Sequence, residues 1–187
     1  MNCSIGHAAR VLAVAGLAGG LLVGLPGSPA GAQPAAFPNL DDFTAVSVDD
    51  YLTTGPKGPG RWVNFSTPYN ISCQFVAAGE PGTLQAISCD GDMPGMDNAP
   101  YAQGSPEQGW CLTGTVRTEN SGSVRLNRQS VMCPAGPFDS GKPLNVGQKV
   151  SYQNVTCAVG ADRLVACLDT SAGQHGFVLK PSGSSAF

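Results

Sequence analysis

From Arg61 to the carboxyl end, the chain carries short runs in which apolar and polar positions alternate. Residues 62–66, 71–76, 84–89 and 124–126 are rich in β-branched and aromatic side chains, and glycine-bearing turns bound them. Successive side chains on a strand point to opposite faces, so such runs predict half-buried strands. No stretch sustains a helical apolar period across three turns. The expected fold class is all-β: a small, disulfide-stabilised antiparallel sandwich or barrel built from hairpins. In the last run, Phe177 and Leu179 share one face, while Gly176, Val178 and Lys180 share the other. Pro181, Ser182 and Gly183 then predict a turn, after which residues 184–187 pair back and bring Phe187 onto the core.

The chain before Arg61 reads differently. Residues 33–38 form a Pro/Ala arm that Phe37 or Leu40 would dock. Residues 39–52 are ambiguous, because Phe43, Ala45 and Ser47 alternate as in a strand while aspartate pairs at each end suit a short helix. Extended structure is the preferred reading. Residues 54–60 hold two prolines and three glycines, which predicts a loop.

The cysteines sharpen the hairpins. In an antiparallel hairpin the numbers of paired residues sum to a constant, so their midpoint falls in the turn. Cys73 and Cys89 centre on Pro81, Cys111 and Cys133 on Gly122, and Cys157 and Cys167 on Asp162; all three lie in turn-like segments. The pairs Cys73–Cys89, Cys111–Cys133 and Cys157–Cys167 are therefore predicted, each across one hairpin. The first and third hairpins also resemble each other: residues 70–73 answer 154–157, and 86–90 loosely answer 164–169.

Composition then sets the compartment. Arg10 is followed by an apolar run over residues 11–25, a break at Pro26, and Ala30-Gly31-Ala32, the pattern of a cleavable export signal. The run is short for a membrane span. Cleavage after Ala32 removes Cys3 and leaves six cysteines, an even number that fits an oxidising compartment. The remaining charge is dispersed and mildly acidic, which argues against nucleic acid or an anionic membrane as partner. The expected division is a signal over 1–32, an arm and loop over 33–60, and a bridged β domain over 61–187.

A set of segments runs in order along the chain: Phe37-Pro38-Asn39-Leu40 with Asp50-Tyr51, then residues 63–68 leading to Ile71-Ser72-Cys73. It continues through Cys89-Asp90-Gly91-Asp92-Met93-Pro94-Gly95, Val155-Thr156-Cys157 and Ala166-Cys167 to residues 175–183. Together these segments resemble a family of small exported proteins of mycobacteria and related actinobacteria. Residues 101–145 match less well. The resemblance implies export to the envelope or medium and a disulfide pattern. It brings no catalytic residue.

The candidate chemistry is sparse. Asp90, Asp92 and Asp97 follow Cys89 closely and are weak candidates for a cation. Counted from Asp90, an EF-hand loop would find oxygen at Asp92 and glycine at Gly95, but Pro94 and Tyr101 stand where further ligands are needed. Met93 and Met96 offer two thioethers, too few for Cu(I). A structural turn is the preferred reading. His175 has Asp169 six residues before it and serines nearby, yet no Gly-x-Ser-x-Gly elbow is present. It reads as a strand-entry histidine hydrogen-bonded locally. Trp62 and Trp110 read as buried beneath the sheet rather than as exposed stacking platforms. No catalytic residue, cofactor or metal is assigned. The pattern points to a monomeric, non-catalytic binding or structural protein with an extracellular or envelope partner. A secreted protease inhibitor, using the Met93–Met96 loop, and a carboxylate-dependent hydrolase are the alternatives.

Overall fold

The computed structural model describes residues 37–54, 61–76, 86–103, 111–119, 122–131, 135–171 and 173–187. The expected export signal, Trp110 and Cys133 lie outside them. The described chain is all-β, with two short 3-10 turns, and its thirteen strands form two sheets. One sheet has the order β1 (Thr44–Ala45), β9 (Gln148–Tyr152), β10 (Val155–Val159), β11 (Val165–Asp169), β12 (His175–Leu179), β13 (Ser185–Ala186). The other runs β2 (Leu52–Thr54), β3 (Arg61–Ser66), β4 (Ile71–Val76), β5 (Ile87–Gly91), β6 (Cys111–Thr118), β7 (Val124–Val131), with β8 (Lys142–Pro143) beside β3. The inner faces meet in one core, so the architecture is a sandwich.

Alternation explains that core. Val63 and Phe65 of β3, Ile71 and Phe75 of β4, and Ile87 of β5 are fully buried. From the other sheet Val155, Val159, Val165, Phe177 and Leu179 meet them. Cys73 lies opposite Cys89, and Cys157 opposite Cys167; both pairs are disulfide-bonded inside this core. Each bridge joins residues that do not exchange backbone hydrogen bonds, since the Val76–Ala86 and Gly160–Leu164 bonds put the bonded pairs at the other parity. Such positions bring the backbones closest, here to a Cα separation of 4.1 Å at both bridges. In the β6–β7 ladder Cys111 faces Val131, two residues before Cys133 in the chain.

The resemblance between the bridged hairpins has a topological counterpart. Each sits at the centre of its own sheet, as β3-β4-β5-β6 and β9-β10-β11-β12. The short strand ahead of each half crosses over: β1 pairs in parallel with β9, and β8 in parallel with β3. The segment read as an arm and loop, residues 33–60, thus supplies strands to both sheets, and Tyr51 is buried in the core. The preferred extended reading of residues 39–52 needs correction, because the aspartate pairs sit in the 3-10 turns Leu40–Asp42 and Val48–Asp50. The Asn39 side chain accepts the Asp41 N–H at the start of the first turn.

The outer face of the β9–β13 sheet is covered as well. Phe37, Ala166, Leu168 and Val178 form a second cluster, joined by Leu40, Leu164 and Phe187. The Phe37 and Phe187 rings meet edge to face at 5.7 Å. Phe187 was expected on the core; it lies on this outer cluster instead. The reason is parity: Ala186 is opposite the inward Phe177, and Phe187 exchanges backbone bonds with Gly176 on the outward face. β11 is consequently buried on both faces.

Candidate functional site

The segment after β5 closes one end of the sandwich. Gly91 (φ 146°) brings the chain against Asn70, whose carbonyl accepts the Asp92 N–H at 3.0 Å. Gly95 (φ 60°) lies against the backbone of Lys180 and Gly183, so a side chain there has no room. The two glycines of Cys89-x-Gly91-x-x-Pro94-Gly95 are close-approach residues, and the segment is a turn. Met93 and Met96 point inward and join the core. Gly114 of β6 leaves the space that the Met93 side chain fills.

Both sheets hold this turn. From the β10–β11 turn, the Arg163 guanidinium donates to the Asp92 carbonyl at 2.6 Å. Ser184, just before β13, donates its hydroxyl to the Pro94 carbonyl at 2.6 Å and its N–H to the Gly95 carbonyl at 2.9 Å. On β7, Arg128 Nε donates to the Ala99 carbonyl at 2.7 Å, and the Arg128 N–H to the Pro100 carbonyl at 2.7 Å. The turn is therefore a rivet between the sheets, with a cleft on each side. One cleft, about 260 Å³, lies among Met93, Met96, Thr113, Arg128 and Arg163. The other, about 440 Å³, lies between Val124–Leu126 of β7 and Gly183–Ala186 around β13.

The three candidate aspartates part company here. Asp90 faces outward from β5 and takes a two-pronged ion pair from Arg117, at 2.7 and 3.0 Å. Both partners are well exposed, so the pair contributes at most about 1 kcal/mol. Asp92 accepts from the Asn70 amide at 2.8 Å, and Asp97 is exposed. Among the described residues no group of three His, Cys, Asp or Glu side chains converges as a metal cage would. The loop that prompted the inhibitor reading does not protrude, because its methionines are anchors.

His175 opens β12 as expected and lies across the ladder from Asp169. The buried Asp169 carboxylate turns instead to the Ser171 N–H, at 2.8 Å. No hydrogen bond joins the His175 ring to a described residue, so the expected local bond is replaced by partial burial alone. Trp62 also departs from expectation. Val63 and Phe65 take the inner face, which leaves Trp62 half-buried on the outer one.

No protein-family model, no curated protein and no solved structure matches this chain. The chemistry must be read from the geometry itself. Asp92, Met93 and Met96 are legible in the sequence as members of this turn, whereas Arg128, Arg163 and Ser184 are not. Their relevance comes from contacts between residues as far apart as Pro94 and Ser184. A local signal exists only for Arg163, which stands in a hairpin turn where glycine or asparagine is usual.

A titrating group sits away from the clefts. The Tyr51 hydroxyl donates to the Pro143 carbonyl at 3.1 Å, and Lys142 Nζ, 2.7 Å from Asp50, lies 5.4 Å from the Tyr51 ring centre. Burial pushes the Tyr51 phenol above its ordinary value, with Lys142 opposing and Asp50 assisting. The hydrogen bond to Asp50 raises the Lys142 ammonium, against some desolvation. Both groups hold their protons more tightly in the folded state. Their stabilisation is therefore complete below about pH 10 and is lost as pH rises through the folded values. Melting temperature followed above pH 9 is expected to fall, and Tyr51→Phe is expected to flatten part of that fall. An identical slope in the variant contradicts the Tyr51 contribution.

Proposed function

We propose that this chain is an exported, non-catalytic binding domain of the cell envelope or medium. Its recognition surface is the groove between the end strands β7 and β13. The resemblance to exported actinobacterial proteins, the apolar run after Arg10 and the buried disulfides support the compartment. The carrying observation is that, among the described residues, both sheets end at this groove with backbone groups turned toward the outside. The Glu119–Ser123 bond sets the parity of the β6–β7 ladder, so Val124 and Leu126 direct N–H and C=O away from β6. The Gly176–Phe187 bonds do the same for Ala186 with respect to β12. Met96, Ala99 and Leu126 supply an apolar lining. An extended segment of a partner polypeptide adds to such edges through main-chain bonds and sets its side chains in the groove.

Proline at an outward position removes a donor and leaves the ladder intact. The processed protein, immobilised and exposed to envelope extract, is expected to retain a partner that Ala186→Pro and Leu126→Pro release at least tenfold faster. Equal retention by both variants and the unaltered protein overturns the groove as the recognition surface. Turnover of the captured molecule overturns the non-catalytic reading.

A further inference from the structure

The cleft on the other side of the turn has a different chemistry. Arg128 reaches it from the β7 edge of one sheet, and Arg163 from the β10–β11 turn of the other. Two further arginines, Arg117 and Arg125, are matched with Asp90 and Glu119. Arg128 and Arg163 instead each give one donor to a main-chain carbonyl, of Ala99 and Asp92 respectively. No carboxylate among the described residues forms an ion pair with either. A guanidinium has five donors, so most of each fork is unspent. Arg128 is fixed further by stacking over the Tyr101 ring, 4.4 Å from its centre.

Arg163 adds a conformational argument. It and Asp162 both have positive φ, 59° and 54°, and the Leu164 N–H bonds to the Ala161 carbonyl at 3.0 Å. This is a tight hairpin turn whose favoured pair is Asp-Gly. An arginine at the glycine position carries left-handed strain that the turn itself does not require. What it achieves is the reach of its guanidinium to the opposite sheet and into the cleft.

We propose that this cleft binds a small monoanionic carboxylate bearing a short aliphatic chain, such as the carboxyl end of a peptide. The two guanidinium forks take the carboxylate, and Met93, Pro94 and Met96 line the space for the apolar part. Asp92 and Asp97 border the same cleft, so a dianion such as phosphate meets more repulsion than a monoanion does. The cleft is separate from the β7–β13 groove, and either site stands without the other.

The test uses the processed protein with labelled methionine methyl groups and three probes: N-acetyl-leucine, N-acetyl-leucinamide and inorganic phosphate. The free acid is expected to shift the Met93 and Met96 signals saturably. The amide and phosphate are expected to bind at least tenfold more weakly. Acetyl-dialanine with a free carboxyl end, tested beside the single amino acid, shows whether a peptide terminus is preferred to a free small acid. Arg163→Gly creates the favoured turn pair, and the relieved left-handed strain offsets the lost bond to the Asp92 carbonyl; it is expected to leave the melting temperature nearly unchanged while weakening acid binding roughly tenfold or more. Arg128→Gln is expected to weaken binding similarly. Equal binding of acid and amide, tighter binding of phosphate, unchanged affinity in a folded Arg163→Gly protein, or no binding by any probe overturns the proposal.

Discussion

Phe177→Ala is expected to cost about 3–5 kcal/mol, the usual range for deleting a fully buried aromatic side chain. Phe177 stands on β12 between β11 and β13, opposite Cys167 on one side and Ala186 on the other. Its ring belongs to the cluster that holds both disulfides, so neighbours tied by covalent bridges have little freedom to collapse into the space left behind. His175→Ala, two residues away, is expected to change stability by no more than about 0.5 kcal/mol, because the ring is only partly buried and makes no hydrogen bond to a described residue. Denaturant unfolding of both variants with the bridges intact makes the comparison. A neutral Phe177→Ala would mean that β12 does not close the core.

Gly95→Ala is expected to destabilise by about 2–5 kcal/mol. The left-handed backbone conformation alone costs an alanine about 1–2 kcal/mol. The new methyl group also meets the Lys180 carbonyl and the Gly183 backbone, which must separate by a main-chain shift costing a further 1–3 kcal/mol or so. Gly122→Ala is the control, since Gly122 also has positive φ (82°) but nothing within 4 Å of the added carbon. It is expected to cost only about 1–2 kcal/mol. Equal losses at the two glycines would show that Gly95 serves backbone conformation only, and that the turn is not clamped against the terminal residues.

The inward set of β12 and the pairs Cys73–Cys89 and Cys157–Cys167 follow from alternation and from reflection about a nearby turn. Both rules act over short loops, so local pattern specifies them. The same rule weakens in the β6–β7 hairpin. The Gly122 N–H bond to Glu119 and the Glu119–Ser123 pair set a register that puts Val131 opposite Cys111. One residue of turn geometry shifts every pairing beyond it.

Long-range placement had no such signal. β1 joins β9 and β8 joins β3 through two-residue parallel contacts, too short for any periodicity and far apart in sequence. Trp62 illustrates a second limit: aromatic character favours burial, but its parity beside Val63 and Phe65 places it on the outer face. Phe187 is a third case, sent to the outer cluster by its bonds to Gly176.

The amino-acid order alone determined the all-β class, the hairpins around the two central bridges and the turn nature of residues 92–96, because each depends on neighbours within about twenty positions. The tertiary structure decided that those hairpins face each other across one core, and that residues before Arg61 belong to both sheets. It also decided that Arg128, Arg163 and Ser184 converge on the segment from Asp92 to Pro100. Such meetings arise only when two sheets pack, since the contacts lie between residues that no local period connects.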